Sequence, residues 1–273
     1  MKFLTSTINV KGYDVHIWSG GSGLPLLLMH GVGPGTSAAG NFYKVREDLA
    51  SRYHVFGTDI IGFGNSAVKS GWPYFDYDLW CVQMQAVLDT LPEGPVGLIG
   101  HSISGTFALR LAAANKRIDR VLITCPMGTP LIPNQYLESL WSFPRDEEEL
   151  RSSLRILFNN HSLITDELVA SRLDILNKPG YAEYFDKMFG GEKIKLIAPT
   201  ILSDKDLSAV NCPVSIIHGK HDLAFPYEET TAILAQKMHN VDVHVLSNCS
   251  HGPAFERPNT FLCIAHNFFD GST

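Results

Sequence analysis

The segment LIGHSISGTFALRLAAA, residues 98–114, runs an apolar strand into a helix with little between them but small residues and one histidine. A backbone turns that sharply only where side chains are short, and Gly100, Ser104 and Gly105 meet the requirement. A serine held on such a turn stands above the sheet, beside the positive end of the following helix. The usual pattern for a nucleophile there is G-x-S-x-G, whereas this chain has Ser104 in the last place and Gly105 one step later. Taken alone, Ser102 reads equally well as a helix cap. Its partners have to decide.

Working outward, the chain alternates strands and helices. PLLLMH, YHVFGTD, VGLIG, RVLITC, VSIIHG and VDVHVL are short apolar runs suited to strands buried on both faces. TSTINVKG and YDVHIWSG alternate apolar and polar residues around a glycine and predict an antiparallel hairpin at a sheet edge. Helical spacing is expected over residues 43–51, 76–90, 103–115, 227–239 and 259–269. The pattern predicts an α/β fold with a mostly parallel, doubly wound sheet, whose ligands bind outside the carboxyl ends of the strands. Past Pro126 the alternation stops, and LESLWSFP, EEELRSSLRILFNN, TDELVASRLDILN and YAEYFDKMF read as successive amphipathic helices. The expected division is therefore a core of residues 1–126 and 210–273 with a helical lid at 127–209.

Two later loops supply the partners of Ser102. Asp222 follows the strand VSIIHG, and His251 follows VDVHVL, so both fall on the face that carries the serine. Serine needs a base to take its proton and a third group to orient that base. The order Ser102, Asp222, His251 is the one expected when this chemistry is built on a doubly wound sheet. HGVGPG, residues 30–35, follows PLLLMH and offers unobstructed amides for an oxyanion. The expected donors are Val32 and Ile103, with Gly33 adjacent.

Composition excludes several other classes. A net charge of −6 with no basic run argues against nucleic acid. Five cysteines, odd in number and without a CxxC pair, predict reduced and mostly buried thiols. The opening MKFLTSTINVKGYDV turns polar too early for a signal peptide, and no apolar run is long enough to span a membrane. A cytoplasmic protein acting on a small molecule is expected, with homo-oligomer formation left open. HGKHD brings His218, His221 and Asp222 together, but spacing of that kind leaving a strand does not make the side chains converge on a metal. FGTDIIGFGNS lacks the arrangement of a nucleotide loop and reads as a tight turn. No metal or cofactor is called for. Of the lid residues Tyr136, Leu140, Trp141, Phe143 and Phe158, helical spacing makes most of them core, with one or two, Trp141 first, meeting substrate.

HGVGPG, TDIIGFGNS, GHSISG, HGKHD and NCSHGPAFERP occur in the order and spacing of the alpha/beta-hydrolase fold family, which the chain resembles over nearly its whole length. With TSAAGNFYKV, SLITDELVASRLDILNKPG and YFDKMF, it looks most like the meta-cleavage product hydrolases, which cleave a carbon–carbon bond in 2-hydroxy-6-oxo-2,4-dienoates. The resemblance implies Ser102 as nucleophile, His251 as base and acid, Asp222 as orienting carboxylate, and Arg172 as the group that binds the dienoate carboxylate. It implies that Asn41 sets the conformation near the oxyanion loop. Two positions depart from that subfamily: His101 stands where Asn is usual before the nucleophile, and Gly252 where Trp is usual after the histidine. Both touch substrate in the family. These departures leave open an ester or lactone hydrolase using the same triad. A low-turnover binding module and a cofactor-free oxygenase are more distant readings.

Overall fold

The computed structural model describes residues 2–271. The outer limits of the expected core, residues 1 and 273, lie outside the described residues. Eight strands form one sheet: β1 (Leu4–Val10), β2 (Tyr13–Gly20), β3 (Pro25–Met29), β4 (His54–Thr58), β5 (Val96–His101), β6 (Ile118–Thr124), β7 (Val214–Gly219) and β8 (Val241–Leu246). Their order is β1-β2-β4-β3-β5-β6-β7-β8. The pairs β1·β2 and β2·β4 are antiparallel and the remaining neighbours run parallel. The expected hairpin turns at Lys11 and Gly12, both with positive φ (53° and 91°), the geometry that matches the twist of the flanking strands.

β3 shows why its sequence is apolar without alternation. Leu26 and Leu28 enter the layer of Phe42, Leu49, Phe261 and Phe269, while Leu27 and Met29 enter the layer of Trp80, Met84 and Phe107. A strand buried on both faces has no polar side to present.

Four helices precede the insertion: α1 (Ala38–Asn41), α2 (Arg46–Ala50), α3 (Tyr77–Asp89) and α4 (Ser104–Ala114). Asp76 caps α3 by accepting the Leu79 amide at 3.0 Å. The helix expected over 43–51 is confined to α2, because Val45 takes a non-helical backbone (φ −124°, ψ −19°) with its side chain fully buried. Between β6 and β7 lie α5 (Gln135–Leu140), α6 (Glu147–Leu157), α7 (Asp166–Leu176), α8 (Tyr181–Phe189), α9 (Lys193–Ile197) and α10 (Asp204–Ser208). The last two were not expected; at five residues each they are too short to show a period. Asn134, Asp146 and Thr165 cap α5, α6 and α7. The apolar faces of these helices, with Leu150, Leu154, Val169 and Phe185, join the same core cluster as the sheet.

After β7 come α11 (Thr231–Lys237), α12 (Pro253–Glu256) and α13 (Pro258–Phe269). The helix expected over 227–239 is split: a 3-10 turn at Tyr227–Glu229 ends at Thr230 (φ −126°, ψ −87°) before α11 begins. The cysteines are all free, but only Cys125 and Cys249 are buried; Cys81 and Cys212 are half-buried and Cys263 is exposed. No described helix is long and apolar enough to cross a membrane.

Candidate active site

Ser102 sits in the left-handed region at φ 57°, a conformation unusual for a non-glycine residue and a local strain of about 1–3 kcal/mol. The turn is held on three sides. The Ser102 amide donates to Thr124 O at 2.9 Å. A Cβ on Gly100 would lie 2.5 Å from Ser104 O, and one on Gly105 would lie 2.9 Å from Pro126 Cβ, so both positions require glycine. Ser104 has its own use: its hydroxyl donates to His30 O at 2.5 Å and ties the serine turn to the HGVGPG loop.

Asp222 and His251 meet as the sequence predicts. His251 Nδ1 lies 2.6 Å from Asp222 Oδ2, and Asp222 Oδ1 accepts the Phe225 amide at 3.0 Å. Burial raises the Asp222 carboxyl, but the neighbouring His251, His218 and Phe225 amide outweigh it and hold the group below its ordinary value. An ionised Asp222 fixes the His251 proton on Nδ1 and leaves Nε2 free to accept another. The Phe225 ring stacks on His251 at 4.8 Å and 26°, fixing the imidazole plane. Ser102 and His251 line one cavity of about 30 Å³.

Val32 and Gly33 line that cavity too. Among the described residues, the Val32 and Ile103 amides donate to no protein acceptor, which leaves both available to a developing oxyanion. The loop that presents Val32 is braced: Asn41 Oδ1 accepts the Gly31 amide at 3.1 Å, and His30 accepts the Ile60 amide through Nε2 at 2.9 Å. A Cβ on Gly31 would lie 2.9 Å from Ser102 Cβ, so this loop approaches the serine as closely as backbone allows.

Arg172 lies on α7 and is only 7% exposed. One guanidinium nitrogen donates to Pro34 O at 2.7 Å, and no carboxylate among the described residues pairs with it. Burial alone lowers its pKa to about 10, so it remains a cation at neutral pH. His101 bonds Thr124 Oγ1 through Nδ1 at 2.9 Å, and its ring stands 4.7 Å from that of His251. Burial, then the His251 charge, holds His101 well below the usual histidine value, so it is neutral. His101 and Arg172 line the Ser102 cavity and a second cavity of about 30 Å³ that also touches Gly252 and Phe158. Outside them opens a vestibule of about 550 Å³ whose walls, among the described residues, carry Lys44, Arg46, Arg172 and a single acid, Glu167.

Of the lid candidates, Leu140 and Trp141 face the Ser102 cavity and Phe158 the second, one more than expected. Phe143 instead packs on Phe185. Leu157 and Phe225 also line the Ser102 cavity and were not singled out in the sequence. Phe225 stands three residues past Asp222, a signal that was there to read; Leu157 carries none. Asp59 was missed as well. It accepts the Ala38 and Asn65 amides at 2.8 and 2.9 Å and bonds His16, anchoring the start of α1 behind Asn41. His218 is used up by Thr231 Oγ1 (2.8 Å) and Phe225 O (3.0 Å). Among the described residues, the cluster with metal-like spacing is instead Cys125, Asp222 and His251, ligand atoms within 4.8 Å, where burial keeps the Cys125 thiol protonated.

A model of the alpha/beta hydrolase fold matches residues 25–258. The chain belongs to the alpha/beta-hydrolase fold family. Within that family it is 27% identical to the 2-hydroxy-6-oxo-2,4-heptadienoate hydrolase of Pseudomonas putida, over 94% of this chain and 93% of that one. It is 28% identical to the 2-hydroxymuconate semialdehyde hydrolase of a Pseudomonas species, over 96% and 92%. A solved meta-cleavage product hydrolase from Pseudomonas fluorescens superposes with a TM-score of 0.91 at 27% identity, over 98% of both chains.

Proposed function

We propose that this alpha/beta hydrolase cleaves the carbon–carbon bond between C5 and C6 of a 2-hydroxy-6-oxo-2,4-dienoate. The observation that carries the reading is Arg172: a buried cation without a carboxylate partner among the described residues, beside a serine, histidine and aspartate set for acyl transfer. A buried guanidinium is costly unless something anionic meets it, and its planar fork suits a carboxylate. A simple ester hydrolase has no use for it.

In this reading Arg172 binds the C1 carboxylate, and the dienol proton moves to C5 with His251 as the shuttle, giving a ketone at C2. His251 Nε2 then takes the Ser102 proton as Oγ adds to the C6 carbonyl, and the Val32 and Ile103 amides stabilise the oxyanion. The C5–C6 bond breaks with its electron pair delocalised toward the C2 carbonyl, the leaving dienolate takes the proton held on His251 and departs as the 2-hydroxydienoate, and an acyl group stays on Ser102. Water, deprotonated by His251, releases that group as a carboxylic acid. Leu140, Trp141, Leu157 and Phe225 crowd the Ser102 cavity, which supports a small acyl group, formyl or acetyl, over an aromatic one. The helices between β6 and β7 act as a lid, with residues 127–209 as its extent.

The test is incubation with 2-hydroxy-6-oxohepta-2,4-dienoate. Its visible absorbance should disappear as 2-hydroxypenta-2,4-dienoate and acetate form, with one oxygen of the acetate drawn from water. The 6-phenyl analogue should react more slowly. Rapid hydrolysis of p-nitrophenyl acetate with no turnover of any dienoate would overturn the reading.

A further inference from the structure

The residue after His251 is Gly252, so the loop gives the pocket no side chain on that side of the imidazole. The space is filled from the helical insertion. A Cβ on Gly252 would lie 2.9 Å from Phe158 Cε1 and 3.3 Å from its Cδ1. Phe158 is 4% exposed, stacks on Phe255 at 5.0 Å and 25°, and lines the cavity that holds His101, Arg172 and His251.

The segment that delivers Phe158 is joined to the histidine loop on both sides of the ring. The His251 amide donates to Leu157 O at 3.0 Å, and the Ser250 hydroxyl to Ile156 O at 3.0 Å. Glu256 closes the other side: one carboxylate oxygen accepts the Asn159 and Asn160 amides at 2.7 and 3.1 Å. Its second oxygen accepts the Ser250 amide at 2.6 Å. Hydrogen bonds to a carboxylate are roughly twice as strong as neutral ones. One side chain thus fixes the end of α6 relative to the histidine.

We propose that Phe158 is the specificity-determining wall on the Arg172 side of the pocket, taking the volume Gly252 leaves, and that Glu256 is the positioning residue that keeps it in register with His251. The proposal rests on the dienoate reading above. Arg172 anchors C1, so the Phe158 ring faces the carbon chain between C1 and C6 and excludes substituents on it.

The experiment compares kcat/KM for 2-hydroxy-6-oxohepta-2,4-dienoate with the same acid bearing a methyl or chloro group on C3 or C5. Wild type should favour the unsubstituted acid. Phe158→Ala should move the ratio about tenfold or more toward at least one substituted acid, the scale of discrimination a methyl group commands in an apolar pocket. Gly252→Leu added to Phe158→Ala should restore the wild-type preference, whereas Gly252→Leu alone should lower activity by collision with the ring. Glu256→Gln should shift the ratio in the same direction as Phe158→Ala and lower kcat. Phe158→Leu serves if the alanine variant does not fold. A folded Phe158 variant with an unchanged ratio, or a ratio indifferent to Gly252→Leu, overturns the proposal. If wild type cleaves no dienoate but hydrolyses p-nitrophenyl esters, the functional reading falls separately. The wall is then judged by the ratio between straight-chain and α-methyl esters in the same variants.

Discussion

Replacing Arg172 by Leu should weaken catalysis and strengthen the fold at once. The guanidinium is buried, and its pKa falls from 12.5 to about 10 through desolvation alone, a cost of ~3 kcal/mol to the folded state. Because the folded value is depressed, that cost is present in full at every pH below about 10 and vanishes only above the unfolded value. The leucine variant escapes it but loses the bond to Pro34 O, which is worth about 1.5–3 kcal/mol. The net gain is at most about 1.5 kcal/mol, up to roughly 3–6 °C in Tm for a chain of this size. Substrate binding reverses the balance, since a carboxylate enclosed without its cation costs about 3–5 kcal/mol, or roughly 100- to 4,000-fold in kcat/KM. Neutral p-nitrophenyl acetate should stay within about threefold of wild type, because it makes no use of the cation. Thermal melts and steady-state kinetics on both substrates give the answer. Equal losses on dienoate and ester, or a lower Tm with dienoate turnover intact, would refute the assignment.

Three further outcomes follow from the geometry. Asp222→Asn should lower kcat about 10⁴-fold: with Oδ1 kept on the Phe225 amide, the new NH₂ faces His251 Nδ1 and drives its proton to Nε2. Steady-state kinetics beside an unchanged circular dichroism spectrum would check it. Gly31→Ala would push a Cβ to 2.9 Å from Ser102 Cβ and 3.0 Å from His101 Cδ2, and should cost about 100-fold in kcat, read by acylation of Ser102 under a p-nitrophenyl acetate burst. Burial holds His30, His101 and His218 below the ordinary histidine value. Unfolded chains therefore bind protons that the fold refuses, and stability is lost as pH falls through 6.5, by up to about 1.4 kcal/mol per histidine at pH 5.5. Tm measured at pH 7.5 and 5.5 should drop by several degrees; an unchanged Tm would contradict neutral burial of these rings.

Much of the site could be read from the chain because its parts lie at strand ends. The apolar runs fix β5, β7 and β8, and Ser102, Asp222 and His251 follow their carboxyl ends within about five residues, so a sheet of parallel strands delivers all three to one face. The glycines around Ser102 were legible for the same local reason: a backbone that turns that tightly excludes a Cβ whatever packs against it. Helix limits were less legible. Val45 and Thr230 break helices whose side-chain pattern continues, since periodicity records which face is buried and not the φ and ψ of a single residue.

What the sequence determined by itself was thus the sheet, the order of the reactive residues and the places where only glycine fits, all encoded within a few neighbouring positions. Tertiary structure decided that Arg172 is buried with no carboxylate partner among the described residues, that Asp59 anchors the start of α1, and that Phe158 occupies the gap beside Gly252. Each of these is a meeting of segments far apart in the chain, as with Ser250 and Ile156, 94 residues distant. Local patterning sets which side chains leave water; which distant neighbour fills a given volume is settled only when all the layers pack together.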